Sequence, residues 1–183
     1  MTRSARTRSR ALFERLAHVS AADEWTGDLN PTQMVALSYL ARTNRFSRAP
    51  SQVAAYLAAT PGTVSQTLRA LARKGLIVER HSTIDRRSIF CDVTEKGREA
   101  LARQTILDRA IDAMDDAEIE ALNRGLEAVA LRLLSERRMR PFGACNTCRH
   151  FSARGEAGAW ALLGLDLEAA DALQICHEQE NAA

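Results

Sequence analysis

Two helix-start signals follow one another closely in the chain, and a hairpin pattern comes directly after them. Pro50-Ser51 opens a short helix through Val53, Ala54 and Leu57. Thr60-Pro61-Gly62 opens a second that runs to Lys74, where Gly75 can take the left-handed cap. Two short helices joined by a tight turn are a helix-turn-helix candidate. Leu76 to Glu79 then read as a strand, Ser82 to Asp85 as a turn and Ser88 to Val93 as the returning strand, with Arg86 and Arg87 at the tip. Few folds accept that order of elements, because the hairpin must leave the second helix and return to the same core.

The flanks read as helices. Leu12, Phe13, Leu16 and Val19 fall at helical spacing in a short first helix, about residues 8–20. Arg3, Arg6, Arg8 and Arg10 precede or edge it, as a minor-groove arm or a solvated end. Asn30-Pro31 starts the next helix, which carries Val35, Leu37, Leu40 and Ala41 to about Thr43. After the hairpin, Thr94 caps a long helix through Leu101, Leu107, Ile111 and Met114, and Asp115 with Glu118 forms a capping box for another. In the latter, Ile119, Leu122, Leu126, Val129 and Leu133 recur at alternating steps of three and four, the narrow seam of a helix that packs on partner helices. The expected fold class is mainly α with a small β-hairpin wing (α+β): a winged helix-turn-helix flanked by long dimerisation helices. The expected division is residues 1–138 and a tail, 139–183. The dimerisation helices lie at about 8–20 and 95–138, and the DNA-binding part at about 31–94.

Charge placement singles out the middle of the chain. The 183 residues are 46% hydrophobic and 26% charged, enough for one core with a small appendage, and the net charge is only +2. Yet Arg42 to Arg87 holds nine basic and two acidic residues, a net of +7, while Asp108 to the end holds eight basic and fourteen acidic, a net of −6. A basic middle is where nucleic acid binds. On the helix from Pro61 to Lys74, Val64, Leu68 and Leu71 share one arc, leaving Gly62, Thr63, Gln66, Arg69, Ala70 and Arg73 on the other. Small residues let that helix approach a major groove, Gln66 can pair with an adenine edge, and Arg69 and Arg73 can reach guanine or backbone.

These segments together resemble the MarR family of winged helix-turn-helix transcriptional regulators. The likeness runs from about Leu12 to Leu134 and rests on Ala49-Pro50-Ser51-Gln52-Val53-Ala54, Thr60-Pro61-Gly62-Thr63-Val64-Ser65, Leu71-Ala72-Arg73-Lys74-Gly75-Leu76-Ile77, Asp85-Arg86-Arg87-Ser88 and Val93-Thr94-Glu95-Lys96-Gly97. The resemblance implies a homodimer built from the first and last long helices, with a recognition helix in each major groove and each wing in the neighbouring minor groove. It implies that Asp85 holds Arg87 for that groove. The expected DNA contacts are Thr63, Ser65, Gln66, Arg69, Arg73, Asp85, Arg86 and Arg87. The expected partner is double-stranded DNA carrying an inverted repeat, the expected action repression, and the expected place of a small-molecule effector the cleft between dimerisation and DNA-binding helices.

The tail poses a separate question. Cys145-Asn146-Thr147-Cys148 has the spacing of a metal knuckle, with His150 two residues on and Cys176-His177 further along. Cys145, Cys148 and Cys176 with His150 or His177 could hold zinc, or an iron-sulfur cluster. A reversible disulfide and inert cysteines are the other readings, the regulator then answering to a small molecule or an oxidant. The tail is also similar to cysteine-bearing extensions of some MarR-like regulators, whose pattern has a further cysteine just before an Ala-Leu pair; here Trp160 stands there, ahead of Ala161-Leu162. Cys91, alternating with Ile89 and Val93, reads as a small core residue. A dithiol enzyme built on Cys145 and Cys148 lacks the flanking strand-helix-strand pattern, and no other catalytic constellation assembles, so no enzyme activity is expected. No apolar run suggests a signal segment or a membrane span, and the expected place is the cytoplasm.

Overall fold

A computed structural model describes residues 3–24, 28–81, 89–154, 157–161 and 164–180. Helix α1 (Arg3–Glu24) comes first and is longer than the periodicity indicated. The N-terminal arginines belong to it rather than to an extended arm. Helix α2 (Pro31–Arg42) starts where expected: the Asn30 side chain accepts the Gln33 N–H at 2.9 Å, and Pro31 fills the first helical position. Helix α3 (Pro50–Tyr56) and helix α4 (Pro61–Arg73) follow, the second capped by Thr60 and ended at Gly75, whose φ of 72° is the left-handed conformation that glycine adopts without strain.

Strands β1 (Ile77–His81) and β2 (Ile89–Val93) pair antiparallel, Ile77 opposite Val93 and His81 opposite Ile89. The wing is therefore present, while its tip, with Asp85, Arg86 and Arg87, lies outside the described residues. The single long helix expected after Thr94 is two. Helix α5 (Glu95–Leu101) ends at Ala102, and helix α6 (Ile106–Asp112) begins again because Thr105 and Asp108 cap each other reciprocally. Helix α7 (Asp116–Glu136) carries the expected Asp115–Glu118 capping box.

The tail is not loop-like. Strands β3 (Gly143–Ala144) and β7 (Ile175–Cys176) pair antiparallel. Strands β4 (Phe151–Arg154), β5 (Ala157–Trp160) and β6 (Leu165–Leu167) form a three-stranded antiparallel sheet, and a short helix α8 (Ala169–Leu173) follows. Glu168 precedes that helix, and its N–H bonds Asp171.

Two apolar clusters result. The larger joins α2, α3, α4 and the wing through Leu37, Leu40, Val53, Val64, Leu68, Leu71, Ile77 and Cys91, with Phe142 and Ile175 of the tail packed against it. The smaller belongs to the tail and gathers Cys145, Trp160, Leu167 and Cys176, with Phe46 from the α2–α3 loop against it. Helices α6 and α7 bury no residue fully. Among the described residues no helix is long and apolar enough to cross a membrane.

Candidate nucleic-acid interface

Helix α4 is divided cleanly along its length. Val64, Thr67, Leu68 and Leu71 are buried, whereas Thr63, Gln66, Arg69 and Arg73 are exposed and Ser65 is half-buried. The helix is fixed at its front by Thr60, whose hydroxyl accepts the Thr63 N–H at 3.3 Å and lies 2.9 Å from the Thr63 hydroxyl. At its end, Lys74 Nζ bonds Gln33 Oε1 at 3.1 Å and the Asp28 carbonyl, tying it to the start of α2. The exposed arc is thus a rigid face with two cations along one side. Arg45 is held elsewhere, bonded to Glu168 at 2.6 Å.

Arg48 is a residue the sequence reading counted only as charge. Its guanidinium bonds the Thr43 carbonyl and Asp92 of β2, the latter at 2.9 Å, and Asp92 also pairs with Arg80 of β1. The Arg48 carbonyl accepts the Cys91 N–H at 3.0 Å. The wing is in this way anchored to the loop before α3. Cys91 itself is a free, fully buried core residue, and burial pushes its thiol up to about 12, with Glu79 and Asp92 adding to the shift.

The tail cysteines are drawn together. Cys145 and Cys176 lie in one buried cluster, each shifts the other's titration, and Cys148 adds to the shift of Cys145. Asn44, wholly buried in the α2–α3 loop, donates its amide to Cys145 Sγ at 3.0 Å. The Glu180 N–H points at Cys148 Sγ at 3.4 Å. Cys176 accepts from Cys145, from the Glu178 N–H and from Asn44 and Ser47; these donors outweigh burial and bring its thiol down to about 7. Cys145 is pushed well up, first because it donates to Cys176 and then by burial.

The histidines do not complete a ligand set with these sulfurs. The His150 Nε2 lies 3.5 Å from Glu180 Oε2 and accepts from Arg149. His177 packs on Phe142, ring centres 5.4 Å apart, and burial lowers its pKa; its Nδ1 is buried without a partner among the described residues. Trp160 belongs to the same cluster, and its indole N–H, a donor that cannot ligate, is buried without a partner among the described residues. Among the described residues no group of three or more Cys, His, Asp or Glu is arranged to hold a metal ion.

Residues 29–97 match the family of winged helix DNA-binding domains. Over 65 to 73% of the chain the fold is similar to that of three solved structures. Streptococcus pneumoniae FabT in complex with DNA is similar at a TM-score of 0.53 and 24% identity, covering 72% of this chain and 96% of that one. The S. aureus MepR–DNA complex gives 0.54 and 23%, covering 73% and 99%. CouR from Rhodococcus jostii RHA1, bound to p-coumaroyl-CoA, gives 0.54 and 21%, covering 65% and 89%. FabT and MepR are covered almost to their ends, while about a quarter of this chain has no counterpart in either. No curated protein is similar enough in sequence to count as a relative. The winged helix domain takes in α2 to the first residues of α5, so the exposed arc of α4 lies inside it.

Proposed function

We propose that the protein is a cytoplasmic, sequence-specific transcriptional regulator that acts as a homodimer on an inverted-repeat operator, and that it represses. The observation that carries this reading is the exposed, cationic arc of α4 inside a winged helix domain. Thr63, Gln66 and Arg69 read base edges in the major groove, with Ser65 beside them. Arg73 and the wing residues Asp85, Arg86 and Arg87 set position and affinity through backbone and minor groove.

The dimer is supported by apolar side chains left open on the outer helices: Leu12, Phe13, Leu16 and Val19 on α1, Ile106 and Leu107 on α6, Leu126, Val129 and Leu133 on α7. Exposed apolar side chains in this number suit an interface. Two copies joined there present two recognition helices, and half-sites about 10 base pairs apart centre to centre suit them. A small-molecule effector would enter the cleft of about 540 Å³ between α2 and the α5–α6 region, lined by Val35, Ser38, Arg42, Leu101 and Leu107.

Selection of bound duplexes from a random library tests the reading. An inverted repeat should emerge. Gln66→Ala should relax preference at one position per half-site, a loss of roughly 1–3 kcal/mol of discrimination there. Arg73→Ala should weaken every sequence alike and reduce the salt slope by about one. Recovery of no consensus, or identical effects of both substitutions on all sequences, would overturn it.

A further inference from the structure

We propose that Arg80 of the wing strand contacts a DNA phosphate, and that Asp92 and Arg48 are positioning residues that hold its guanidinium ready. The proposal rests on the DNA-binding reading and adds to it a residue outside both the recognition helix and the wing tip. One carboxylate is divided between two cations. Asp92 Oδ1 takes Arg48 Nη1 at 2.9 Å, and Asp92 Oδ2 takes Arg80 Nε at 3.1 Å. The two arginines differ in setting: the Arg48 side chain is 21% exposed and the Arg80 side chain 70%.

Strand register decides which way the group faces. Cys91 is fully buried, so Phe90 and Asp92 on either side of it turn to the opposite face of the hairpin. Val78 stands opposite Asp92 and Arg80 opposite Phe90, which puts Arg80 diagonally across from Asp92 on that outer face. Arg80 is also one residue from the end of β1, and the chain runs on from there to Arg86 and Arg87. A duplex that received those two arginines would bring its sugar-phosphate backbone past Arg80.

The geometry suits a phosphate. A guanidinium has five N–H donors, and the pairing with Asp92 uses the one on Nε. The two outer nitrogens keep their fork, which matches two oxygens of a phosphodiester. Arg48 fixes Asp92 in turn: its Nε and Nη2 both donate to the Thr43 carbonyl, at 3.3 and 3.1 Å, and its own carbonyl takes the Cys91 N–H at 3.0 Å. Thr43 is fully buried, and its hydroxyl donates to the Ile175 carbonyl of the tail at 2.8 Å. Asp92 therefore cannot swing after Arg80 without leaving Arg48, and part of the freedom that Arg80 would lose on meeting DNA is already gone. Arg48 and Asp92 suffice to anchor the wing. The outer ion pair, open to water, adds little to stability, and aiming a cation is what it can do.

The test measures the affinity of the full chain for the selected duplex against salt concentration, for wild type, Arg80→Ala, Asp92→Asn and the double variant. Arg80→Ala should weaken binding at least about 10-fold. It should also reduce the slope of log affinity against log salt by about 0.9 for each protomer bound. Asp92→Asn gives the decisive sign. Removing a negative charge beside a polyanion strengthens binding if charge alone matters. If Asp92 aims Arg80, binding weakens instead, and the double variant is no weaker than Arg80→Ala. Should Asp92→Asn melt well below wild type, Arg80→Lys takes its place: the charge stays and the fork is lost, so affinity should fall while the slope holds. An unchanged slope in Arg80→Ala, tighter binding by Asp92→Asn, or full affinity in Arg80→Lys would overturn the proposal. Wild type that binds no selected duplex would sink the regulator reading and this contact with it, whereas wild type and Arg80→Ala binding equally would sink the contact alone.

Discussion

Tyr39 shows how a single side chain secures the approach to the recognition helix. It is buried, stacked on Tyr56 at 4.4 Å, and its hydroxyl donates to the Ser47 carbonyl at 2.8 Å; burial pushes its pKa up to about 12. Tyr39→Phe keeps the stack and removes the donor. It should cost about 1 kcal/mol and lower Tm by roughly 2–4 °C in a thermal melt. The buried positions of α4 were legible from periodicity because a helix repeats its faces every few residues, and Val64, Leu68 and Leu71 obey that repeat. Asn44 was not. It is a polar residue in a short loop, and what buries it, Cys145, lies 101 positions away in the chain. No local pattern encodes such a pairing, so the sequence named the cysteines without naming what they bind to.

At the scale of elements, the start of α5 is set by a close approach that only glycine permits. A Cβ on Gly97 would stand 2.3 Å from the Leu76 carbonyl and 2.7 Å from Val93 Cγ1, while its N–H bonds the Thr94 hydroxyl. Gly97→Ala should cost about 1–3 kcal/mol in urea unfolding, as overpacking of a fixed backbone does. The break between α5 and α6 escaped the sequence reading although its signal was present. Thr105 and Asp108 have the spacing of a capping box, yet Leu101, Leu107 and Ile111 keep an apolar rhythm across it, and periodicity was followed instead of the cap. The Thr105 N–H and hydroxyl hold the Asp108 carboxyl below its usual 3.8. A carboxyl that binds its proton less readily when folded stabilises α6 above that value and ceases to do so as pH falls below it. The protection of amides in the first turn of α6, taken relative to an unstructured chain at the same pH, should therefore fall in acid, and Asp108→Asn should remove that dependence.

The whole molecule carries its unmet apolar surface on the outside helices and its polar linkages at the centre. Leu126 and Val129 are 44% and 49% exposed on a helix that buries no residue fully. For the proposed dimer, the wild type should sediment as a dimer and Leu126→Glu as a monomer at the same concentration, with affinity for an inverted repeat lowered at least 10-fold and the melt of α4 unchanged. The exposed apolar positions Leu126, Val129 and Leu133 of α7 fall at the alternating steps of three and four read from the sequence. The sheet structure of the tail was not legible there, because strands of two to four residues are too short for alternation to declare itself.

Thr43 reaches across 132 positions to the Ile175 carbonyl. At ribosomal speeds of about 5–20 residues per second, the tail strand emerges roughly 7 to 26 s after the loop it will cover. During that interval the DNA-binding segment is already made, with Asn44, Ser47 and the Thr43 hydroxyl still wet and the loop free to sample other shapes. Each newly synthesised chain thus passes through a stage in which the loop exists without its brace, and residues translated 132 positions later are the ones that close it.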